Sequence, residues 1–402
     1  MSKRYLVVIS IVLIVVLSSC VFFQAGSPPV SLYWHFNDPG LSSADFAYDP
    51  ESDILFIRGD SEESSSSDYT ESAIAAVRIK DKQILWRKVH PMILTSNAKC
   101  VEVYNGKVYL LECGTGTSSA GLIALDEQTG EQIWKVPLKY KHVFQGFTIS
   151  NGYVYTFGGG NSEPTSIYKV DAESGEVKWE VPIQGAFDTR PVVDEETGYV
   201  YFGTSTYLEN STEPRYFYAL KTGDGSVAWE VPIENVLIEN FTTVPVIDGD
   251  SIYAGTWFGR IIRFDKRTGE KKWDIRLTHG EGTHYEPGWG GRFWVYKDKL
   301  EMVLTSGIIL ALNTKDGSVA WQTDVAMTLG ALFNLCLENG RIYVHGWGYN
   351  IGCFSAEDGK QLWIYTPPNS DQRIGGAPMV VGDYLVDADQ VGNVYIIKLH
   401  EK

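Results

Sequence analysis

The sequence predicts an all-β fold, an eight-bladed β-propeller built from four-stranded antiparallel blades. Tryptophan recurs every roughly 40 to 50 residues, a glycine turn precedes most of these tryptophans, and short alternating strand patterns fill the intervals. A repeat of this period that is made of strands is typical of propellers. The repeat tryptophans are Trp34, Trp86, Trp134, Trp179, Trp229, Trp273, Trp321 and Trp363.

The phrase before each tryptophan predicts a tight hairpin. In six of the eight repeats a glycine stands four residues before the tryptophan, as Gly130 does before Trp134 in ALDEQTGEQIW. Glycine takes the positive φ that the turn needs, and the small polar residue before it can bond the turn backbone. A second hairpin lies upstream, marked by pairs such as Asn105-Gly106 and Asn151-Gly152. Each repeat therefore predicts four strands, A to D, with the tryptophan on the outer strand D, packed against the neighbouring blade.

The two ends of the chain predict how the ring closes. The segment from Val30 to Trp34 resembles a strand D without its blade, and the segment around Tyr395 resembles a strand C after which the chain ends. Pairing of these two strands would complete an eighth blade and leave no sheet edge exposed. We therefore expect residues 30–402 to form a single propeller domain.

The N-terminus predicts export and a lipid anchor. Lys3 and Arg4 precede an apolar stretch that ends in Leu17-Ser18-Ser19-Cys20, which is the order of a signal peptide with small residues before its cleavage point. This sequence resembles a bacterial lipobox, so we expect a signal peptide over residues 1–19, acylation of Cys20, and a lipidated tether over residues 20–29. The alternative is an uncleaved signal anchor, but the apolar stretch is short for a membrane span.

Net charge and cysteine positions restrict the partners and the covalent bonds that we expect for this protein. The formal net charge of −16 argues against nucleic acid and against attraction of the whole molecule to anionic lipid, so we expect membrane contact through the lipid anchor only. The cysteines of the mature chain lie at strand positions that do not suit disulfide geometry, and we expect free thiols. They are Cys100, Cys113, Cys336 and Cys353.

The repeat phrase A-L-D-x-x-T-G-x-x-x-W resembles that of the PQQ-type eight-bladed propellers, a superfamily that includes the quinoprotein alcohol dehydrogenases and the BamB-type lipoproteins of outer-membrane assembly. The likeness to the BamB type implies a non-enzymatic, monomeric scaffold that binds envelope proteins, on the periplasmic side of the outer membrane in a diderm organism. The alternative is a quinoprotein-type or other small-ligand or metal-binding propeller. The quinoproteins place a vicinal cysteine pair over their cofactor, and this chain has no adjacent cysteines. We therefore assign no catalytic residue, no metal and no cofactor, and do not expect PQQ.

Candidate binding residues lie on one face of the predicted propeller. The A–B and C–D hairpins lie together on the turn face, whereas the B–C and D–A connections lie on the opposite loop face, where long connections favour binding. The longest D–A connection, residues 278–292, gathers polar and aromatic residues at the mouth of the central channel: His279, Glu281, His284, Tyr285, Glu286 and Trp289. It is either a metal or small-ligand site, since imidazole and carboxylate suit zinc, or a polar loop that closes the channel.

Other D–A connections bring Asp188, Arg190, Asn240 and Arg373 to the same channel mouth. The arginines could receive a carboxylate or phosphate group in bidentate geometry. Alternatively, channel acids and arginines pair with each other across blades. No phosphate-binding glycine loop, nucleophile elbow or His-Glu-x-x-His motif is present in the sequence.

Overall fold

The computed structural model of the chain describes the greater part of the predicted domain. The described residues are 28–42, 44–59, 72–90, 100–112, 121–138, 146–158, 165–187, 189–205, 215–233, 240–279, 283–284, 292–330, 332–346, 350–368 and 374–400. The signal peptide 1–19, Cys20, Cys113 and most of the tether 20–29 lie outside these ranges. No helix within the described ranges has the length and apolar character needed to traverse a bilayer.

Eight four-stranded antiparallel sheets form the described structure, which confirms the predicted all-β propeller of eight blades. Blade 1 comprises β2 (Asp45–Asp49), β3 (Ile54–Arg58), β4 (Ser72–Arg78) and β5 (Gln83–His90); blade 2 comprises β6 (Val101–Tyr104), β7 (Lys107–Glu112), β8 (Gly121–Asp126) and β9 (Gln132–Pro137). Blade 3 comprises β10 (Thr148–Ser150), β11 (Tyr153–Gly158), β12 (Thr165–Asp171) and β13 (Val177–Ile183); blade 4 comprises β14 (Val192–Asp194), β15 (Tyr199–Gly203), β16 (Arg215–Lys221) and β17 (Val227–Ile233).

The second half of the ring repeats the same order. Blade 5 comprises β18 (Val246–Asp248), β19 (Ser251–Gly255), β20 (Arg260–Asp265) and β21 (Lys271–Arg276); blade 6 comprises β24 (Trp294–Tyr296), β25 (Lys299–Leu304), β26 (Ile308–Asn313) and β27 (Val319–Asp324). Blade 7 comprises β28 (Leu332–Glu338), β29 (Arg341–Gly346), β30 (Ile351–Ser355) and β31 (Gln361–Tyr365); blade 8 comprises β32 (Ile374–Val381), β33 (Tyr384–Asp389), β34 (Asn393–Leu399) and β1 (Val30–Asn37). Outside the blades lie the ribbon β22 (Thr278–His279) and β23 (Thr283–His284), a 3-10 turn η1 (Pro39–Leu41) and a single helical turn α1 (Ala326–Leu329).

The first strand of each blade lies on the inside of the ring. First strands of adjacent blades contact one another, for example β2 with β6, β6 with β10, and β28 with β32. The contact of β32 with β2 joins blade 8 to blade 1. These strands therefore line the central channel, and strand D, which carries the repeat tryptophan, lies on the outside.

Blade 8 contains both ends of the described chain. Strand β1 pairs antiparallel with β34, with Trp34 opposite Ile396 and His35 opposite Tyr395. Because β1 arrives from the N-terminus, no covalent turn joins strands C and D of this blade. Side-chain bonds tie the two strands together instead, including His35 Nε2 to Asn393 Oδ1 at 3.1 Å.

The buried apolar residues of the described structure lie between blades. They form eight clusters, and each cluster draws its members from two adjacent blades. The interface between two adjacent blades is called a seam below. The seam between blades 4 and 5, for example, holds Tyr201, Phe217, Phe241 and Phe264, all fully buried. A single blade therefore has no core of its own, and burial is achieved only where two blades meet.

The packing at these seams explains why the repeat phrase combines a glycine turn with a tryptophan. In six of them the turn glycine of one blade lies directly against the tryptophan ring of the blade before it, as Gly269 of blade 5 does against Trp229 of blade 4. The same Trp229 donates its indole N–H to the carbonyl of Lys266 in that turn, at 3.1 Å. The six pairs are Gly130 on Trp86, Gly175 on Trp134, Gly225 on Trp179, Gly269 on Trp229, Gly317 on Trp273 and Gly359 on Trp321. The predicted packing of these tryptophans against the neighbouring blade is confirmed.

The two seams of blade 8 depart from this rule. In blade 1, Lys82 stands where the other turns have glycine, with φ of 53°, and it is Tyr33 rather than Trp34 that reaches the turn, through a hydroxyl bond to the carbonyl of Lys80 at 3.0 Å. On the other side of blade 8, Trp363 packs in a cluster with Val30 and is only 5 % exposed. Prediction from the repeat alone treats all eight tryptophans alike, and these two seams differ because the chain ends there.

We expect Gly269→Ala to lower the free energy of unfolding by about 2–4 kcal/mol. A Cβ at Gly269 would stand 2.7 Å from Cε3 of Trp229, and the residue has φ of +74°. Gly106→Ala is the matched control, because Gly106 has φ of +73° but nothing within 4 Å of an added Cβ. The control should lose only about 1 kcal/mol. Denaturant unfolding of both variants measures the difference, and equal losses would show that the tryptophan contact contributes nothing.

Candidate functional site

The structure describes four of the ten residues that the sequence places on the binding face. Arg190 and Asn240 are described with their side chains, and His279 and His284 are described as backbone. The remaining six lie outside the described residues: Glu281, Tyr285, Glu286, Trp289, Asp188 and Arg373. These six stay predictions.

His279 and His284 belong to the short ribbon of β22 and β23 in the connection between blades 5 and 6. His279 pairs with Thr283, and Thr278 pairs with His284. The two histidines therefore occupy diagonal positions in the ribbon and do not face each other as a pair. In the described ranges, no group of three or more His, Cys, Asp or Glu side chains is placed to hold a metal ion.

Arg190 forms an ion pair along the inner strands of neighbouring blades. Its Nη1 lies 3.0 Å from Oε1 of Glu102, and both side chains are largely buried. Glu102 lies on the first strand of blade 2 and Arg190 precedes the first strand of blade 4, so the pair spans blade 3. The other oxygen of Glu102 accepts the backbone N–H of Ile149 in blade 3, at 3.3 Å. One carboxylate thus connects the inner strands of three successive blades.

Arg292 approaches the same group from the opposite side of the ring. Burial, followed by the nearby positive charge of Arg190, lowers the pKa of Arg292 to about 9, whereas Asp45 and Glu102 act against that shift. The backbone of Arg292 also bridges to Val244 of the preceding connection. Arg190 and Glu102 therefore lie within electrostatic range of Arg292, as does Asp45, which also pairs with Arg58 at 3.9 Å. Of the two interpretations of Arg190, the structure shows pairing with a channel acid.

Asn240 has a structural position beside the channel mouth. Its side chain is largely buried, with 9 % of the residue exposed, and its backbone carbonyl oxygen accepts the backbone N–H of Trp257 at 2.9 Å. Trp257 and Phe258 form the short B–C turn of blade 5, which Gly259 completes with φ of 74°. Both aromatic residues are partly exposed on the loop face. In the sequence, these two residues could have been noticed as adjacent aromatic residues in a short turn between two strands, where polar residues are usual.

A bidentate ion pair holds this turn against its blade. Nε and Nη2 of Arg260 lie 2.7 and 2.6 Å from the two carboxylate oxygens of Asp274. Planar bidentate pairs of this kind fix orientation as well as distance. The ion pair therefore fixes the start of β20 against β21, directly after the turn that contains Trp257 and Phe258.

The described cysteines are free thiols, which confirms their predicted state for Cys100, Cys336 and Cys353. Cys336 and Cys353 both pair with Tyr343, which lies on the strand between them. Burial raises the pKa of the Cys336 thiol to about 11. A thiol that keeps its proton at neutral pH is a poor nucleophile, so Cys336 acts as a packing side chain in the cluster between blades 7 and 8.

One buried carboxyl escaped the sequence prediction. Glu301 on the second strand of blade 6 is fully buried, and neither of its oxygens has a hydrogen-bond partner among the described residues. It pairs with Ala311, which pairs with Trp321. Five other blades have tyrosine and one has phenylalanine at this position, with ring centroids 5.8 to 6.0 Å from the repeat tryptophan: Tyr109, Tyr155, Tyr201, Tyr253, Tyr343 and Phe56.

The tyrosine at this position forms a hydrogen bond across the seam. In blade 4, Tyr201 donates its hydroxyl to the carbonyl of Lys266 at 2.9 Å, the same carbonyl that Trp229 reaches. Glu301 breaks that arrangement at the seam between blades 6 and 7, where the indole N–H of Trp321 also lacks a partner within the described structure. Burial raises the pKa of Glu301 to about 8, a change that nearby Lys299 opposes. The carboxyl is therefore protonated at neutral pH.

The sequence of this chain matches the model of a known protein family. The family model described as outer membrane protein assembly factor BamB matches residues 118–284, 203–332 and 284–401. BamB of Yersinia pestis is 25% identical over 298 residues, which cover 68% of this chain and 69% of that protein. BamB of Escherichia coli K12 is 23% identical over 306 residues, which cover 70% of each chain.

Solved structures share the architecture. BamB from Moraxella catarrhalis superposes with a TM-score of 0.67 at 16% identity, covering 92% of this chain and 99% of that one. The quinohemoprotein alcohol dehydrogenase from Comamonas testosteroni superposes with a TM-score of 0.69 at 13% identity, covering 93% of this chain and 77% of that one. At these identities the likeness shows a shared fold and does not choose between the two functions.

We expect stability to fall as the pH rises from about 4.5 to about 8 because of Glu301. The unfolded chain ionises this carboxyl near its ordinary pKa of 4.5, whereas the folded chain keeps the proton until about pH 8. The folded state therefore binds more protons across this window, and each added pH unit favours unfolding. The total loss should reach up to roughly 4 kcal/mol at pH 8.

Two variants isolate this contribution. Glu301→Gln should remove the fall between pH 5 and pH 8, and Glu301→Tyr, which restores the residue of five other blades, should in addition raise the melting temperature at pH 8. Thermal unfolding at a series of pH values measures both. An unchanged pH slope in Glu301→Gln would assign the pH dependence to another group.

Proposed function

The chain belongs to the family of outer membrane protein assembly factor BamB, and on that premise we propose that it is a lipid-anchored, non-enzymatic scaffold that binds envelope proteins during outer-membrane protein assembly. The observation that carries the proposal is the family match itself, which runs from residue 118 to residue 401 and therefore includes strands of seven blades. The relatives that match over about 70% of their length bear the same name.

The lipid anchor rests on the sequence around Cys20. A charged segment, an apolar stretch and Leu17-Ser18-Ser19-Cys20 follow one another as in exported lipoproteins. Several acyl chains on one cysteine hold a protein to a membrane persistently, since each buried CH₂ contributes about 0.8 kcal/mol. We place the propeller on the periplasmic side of the outer membrane, because an acylated Cys20 would anchor it there and the relatives are named as outer membrane protein assembly factors.

The loop face supplies the binding surface in this proposal. Seams on both sides of each blade hold the strands of the ring in one arrangement, which fixes the position of the described turn 256–259 on the loop face and reduces the entropy lost when a partner binds there. Trp257 and Phe258 offer partly exposed aromatic area on that face, the type of side chain that dominates the affinity of protein interfaces. Arg190 and Glu102 neutralise each other beneath it.

A crosslinked pulldown from native membranes tests the partner. Tagged full-length protein should capture envelope proteins of outer-membrane protein assembly above an untagged control. The double variant Trp257→Ala with Phe258→Ala should reduce capture about tenfold, the effect of losing roughly 1.4 kcal/mol at an interface. Tyr104→Ala on the turn face is the matched control, because Tyr104 is 41 % exposed and should not matter.

Two results would count against the scaffold. Capture of no envelope protein by the wild-type chain would exclude an assembly role. Equal capture by the loop-face and turn-face variants, both shown by circular dichroism to be folded, would remove the loop face of blade 5 from the interface.

The enzyme alternative has its own test. A quinoprotein would bind pyrroloquinoline quinone with calcium, and the absorption spectrum of the quinone would change as the site filled. We expect the spectrum to stay unchanged on titration, because Arg190 is already paired with Glu102 and the sequence has no adjacent cysteines. Saturable spectral change would overturn the non-enzymatic assignment.

A further inference from the structure

We propose that one corner of the turn face, where blade 8 meets blade 1, rests on the anionic bilayer surface that carries the acyl chains of Cys20. The corner, here called the anchor corner, is defined by Tyr33, Lys82, Tyr384 and Lys398. This orientation rests on the lipid anchor proposed above, and it turns the loop face away from the lipid surface, toward the envelope proteins proposed as its partners.

The path of the chain places the tether at this corner. Strand β1 begins at Val30 opposite Leu399, and the backbone N–H of His400 bonds the carbonyl of Pro29 at 2.9 Å. Leu399 in turn bonds the carbonyl of Asp383 in the A–B turn of blade 8, at 2.8 Å. Both ends of the described chain therefore lie on the turn face.

Tether length restricts what can touch the membrane. The segment from Cys20 to Pro28 reaches at most roughly 28 Å when fully extended. Strand β1 has eight residues and spans about 26 Å from the turn face to the loop face. For the loop face to meet the bilayer, the tether would have to run back along the whole of β1 and use nearly all its reach.

The side chains at the anchor corner suit a bilayer interface. The rings of Tyr33 and Tyr384 lie 4.9 Å apart between centroids. Nζ of Lys82 lies 4.3 Å from the centre of the Tyr33 ring, and Nζ of Lys398 lies 4.6 Å from that of Tyr384. Lys398 also pairs with Asp383 at 3.0 Å, so Lys82 is the cation of this corner whose charge no described carboxylate offsets. Tyrosine concentrates at membrane interfaces because its ring is apolar and its hydroxyl is polar, and lysine is attracted to anionic headgroups.

Lys82 is the residue that the repeat does not explain. Six other turns have glycine at this position, and Lys82 adopts the same positive φ of 53°, which a lysine resists. It is exposed, and among the residues that the structure describes it has no carboxylate partner. A cation therefore replaces the favoured residue at the one turn that lies beside the start of β1.

The carboxylates on four other turns of this face already have cationic partners. Each is 53 to 71 % exposed and forms an ion pair with a lysine or arginine: Glu173, Glu196, Glu270 and Glu357. These four turns therefore offer paired charges to an anionic bilayer, whereas Lys82 at the anchor corner has no carboxylate partner among the described residues. The net charge of −16 opposes electrostatic attachment of the whole molecule, so the acyl chains supply the affinity and the anchor corner adds only the orientation.

Photocrosslinking to lipid tests the orientation. A benzophenone amino acid is placed either at Ile84, beside the anchor corner, or at Val391, in the B–C turn of blade 8 on the loop face. The two sites are matched in exposure, at 42 % and 41 %. Full-length protein from a bacterial host that acylates lipoproteins is reconstituted into vesicles of phosphatidylethanolamine and phosphatidylglycerol, irradiated, and analysed by mass spectrometry.

We expect on the order of tenfold more phospholipid adduct at position 84 than at position 391, because headgroup contact is short in range. Equal adduct at both positions, or more at position 391, overturns the orientation. The same spectra report acylation of Cys20. A chain without acyl groups there overturns the anchor and the orientation together, whereas an acylated chain with adducts at position 391 overturns the orientation alone.

Charge variants show whether the lysines set the contact. Lys82→Glu combined with Lys398→Glu should reduce the adduct at position 84 about fivefold at low salt, whereas Lys221→Glu, on blade 4 across the ring, should not. Lys82→Gly restores the residue of the other turns, so it should fold normally and still reduce the adduct. An unchanged adduct in the folded Lys82→Gly and double variants would overturn the role of the lysines.

Discussion

The contact between a tryptophan ring and the glycine turn of the next blade is the interaction on which the ring depends. Each blade is a single sheet of four strands whose apolar side chains have no cover within that blade, and the buried clusters all lie between blades. The turn can approach the ring only because glycine has no Cβ; one added at Gly269 would stand 2.7 Å from Trp229. The same short phrase thus makes the hairpin, ends the blade and attaches it to its neighbour.

A ring must also be closed, and closure changes the rule. Strands β34 and β1 meet without a connecting turn, so blade 8 has no glycine to offer Trp363 and no tryptophan contact with a glycine in blade 1. Polar bonds compensate. Arg87 of blade 1 holds Asp38 through two bonds at 2.5 and 2.8 Å, and His345 of blade 7 bonds Asp387 of blade 8 at 2.8 Å in a fully buried pair. These pairs hold blade 8 against blades 1 and 7, and bonds between β1 and β34, such as His35 Nε2 to Asn393 Oδ1 at 3.1 Å, hold the register that a covalent turn would otherwise fix.

Local chemistry explains what the sequence could predict. The spacing of Gly269 and Trp273 within one hairpin is a property of a few adjacent residues, so strand number, blade number and the free thiols follow from pattern alone. The pair of Arg190 with Glu102 joins positions far apart in the chain, and only the convergence of inner strands brings them together. Glu301 was missed for a related reason. Its alternation with apolar neighbours suits a strand with one solvated face, but both faces of this strand are covered.

The residues that stabilise the ring are largely different from those proposed to bind a partner. The seams use the turn face, the strands and a few buried residues of the D–A connections such as Phe241, so the remaining residues of the loop-face connections are free to vary without weakening the ring. Arg190 and Glu102 show how far that freedom extends, because their pair ties three inner strands and fixes the floor of the channel below the loops. A partner site therefore needs no strain or motion in the scaffold. It requires side chains such as Trp257 on turns whose position is already set by pairs such as Arg260 with Asp274, and preorganisation of this kind turns a small exposed area into useful affinity.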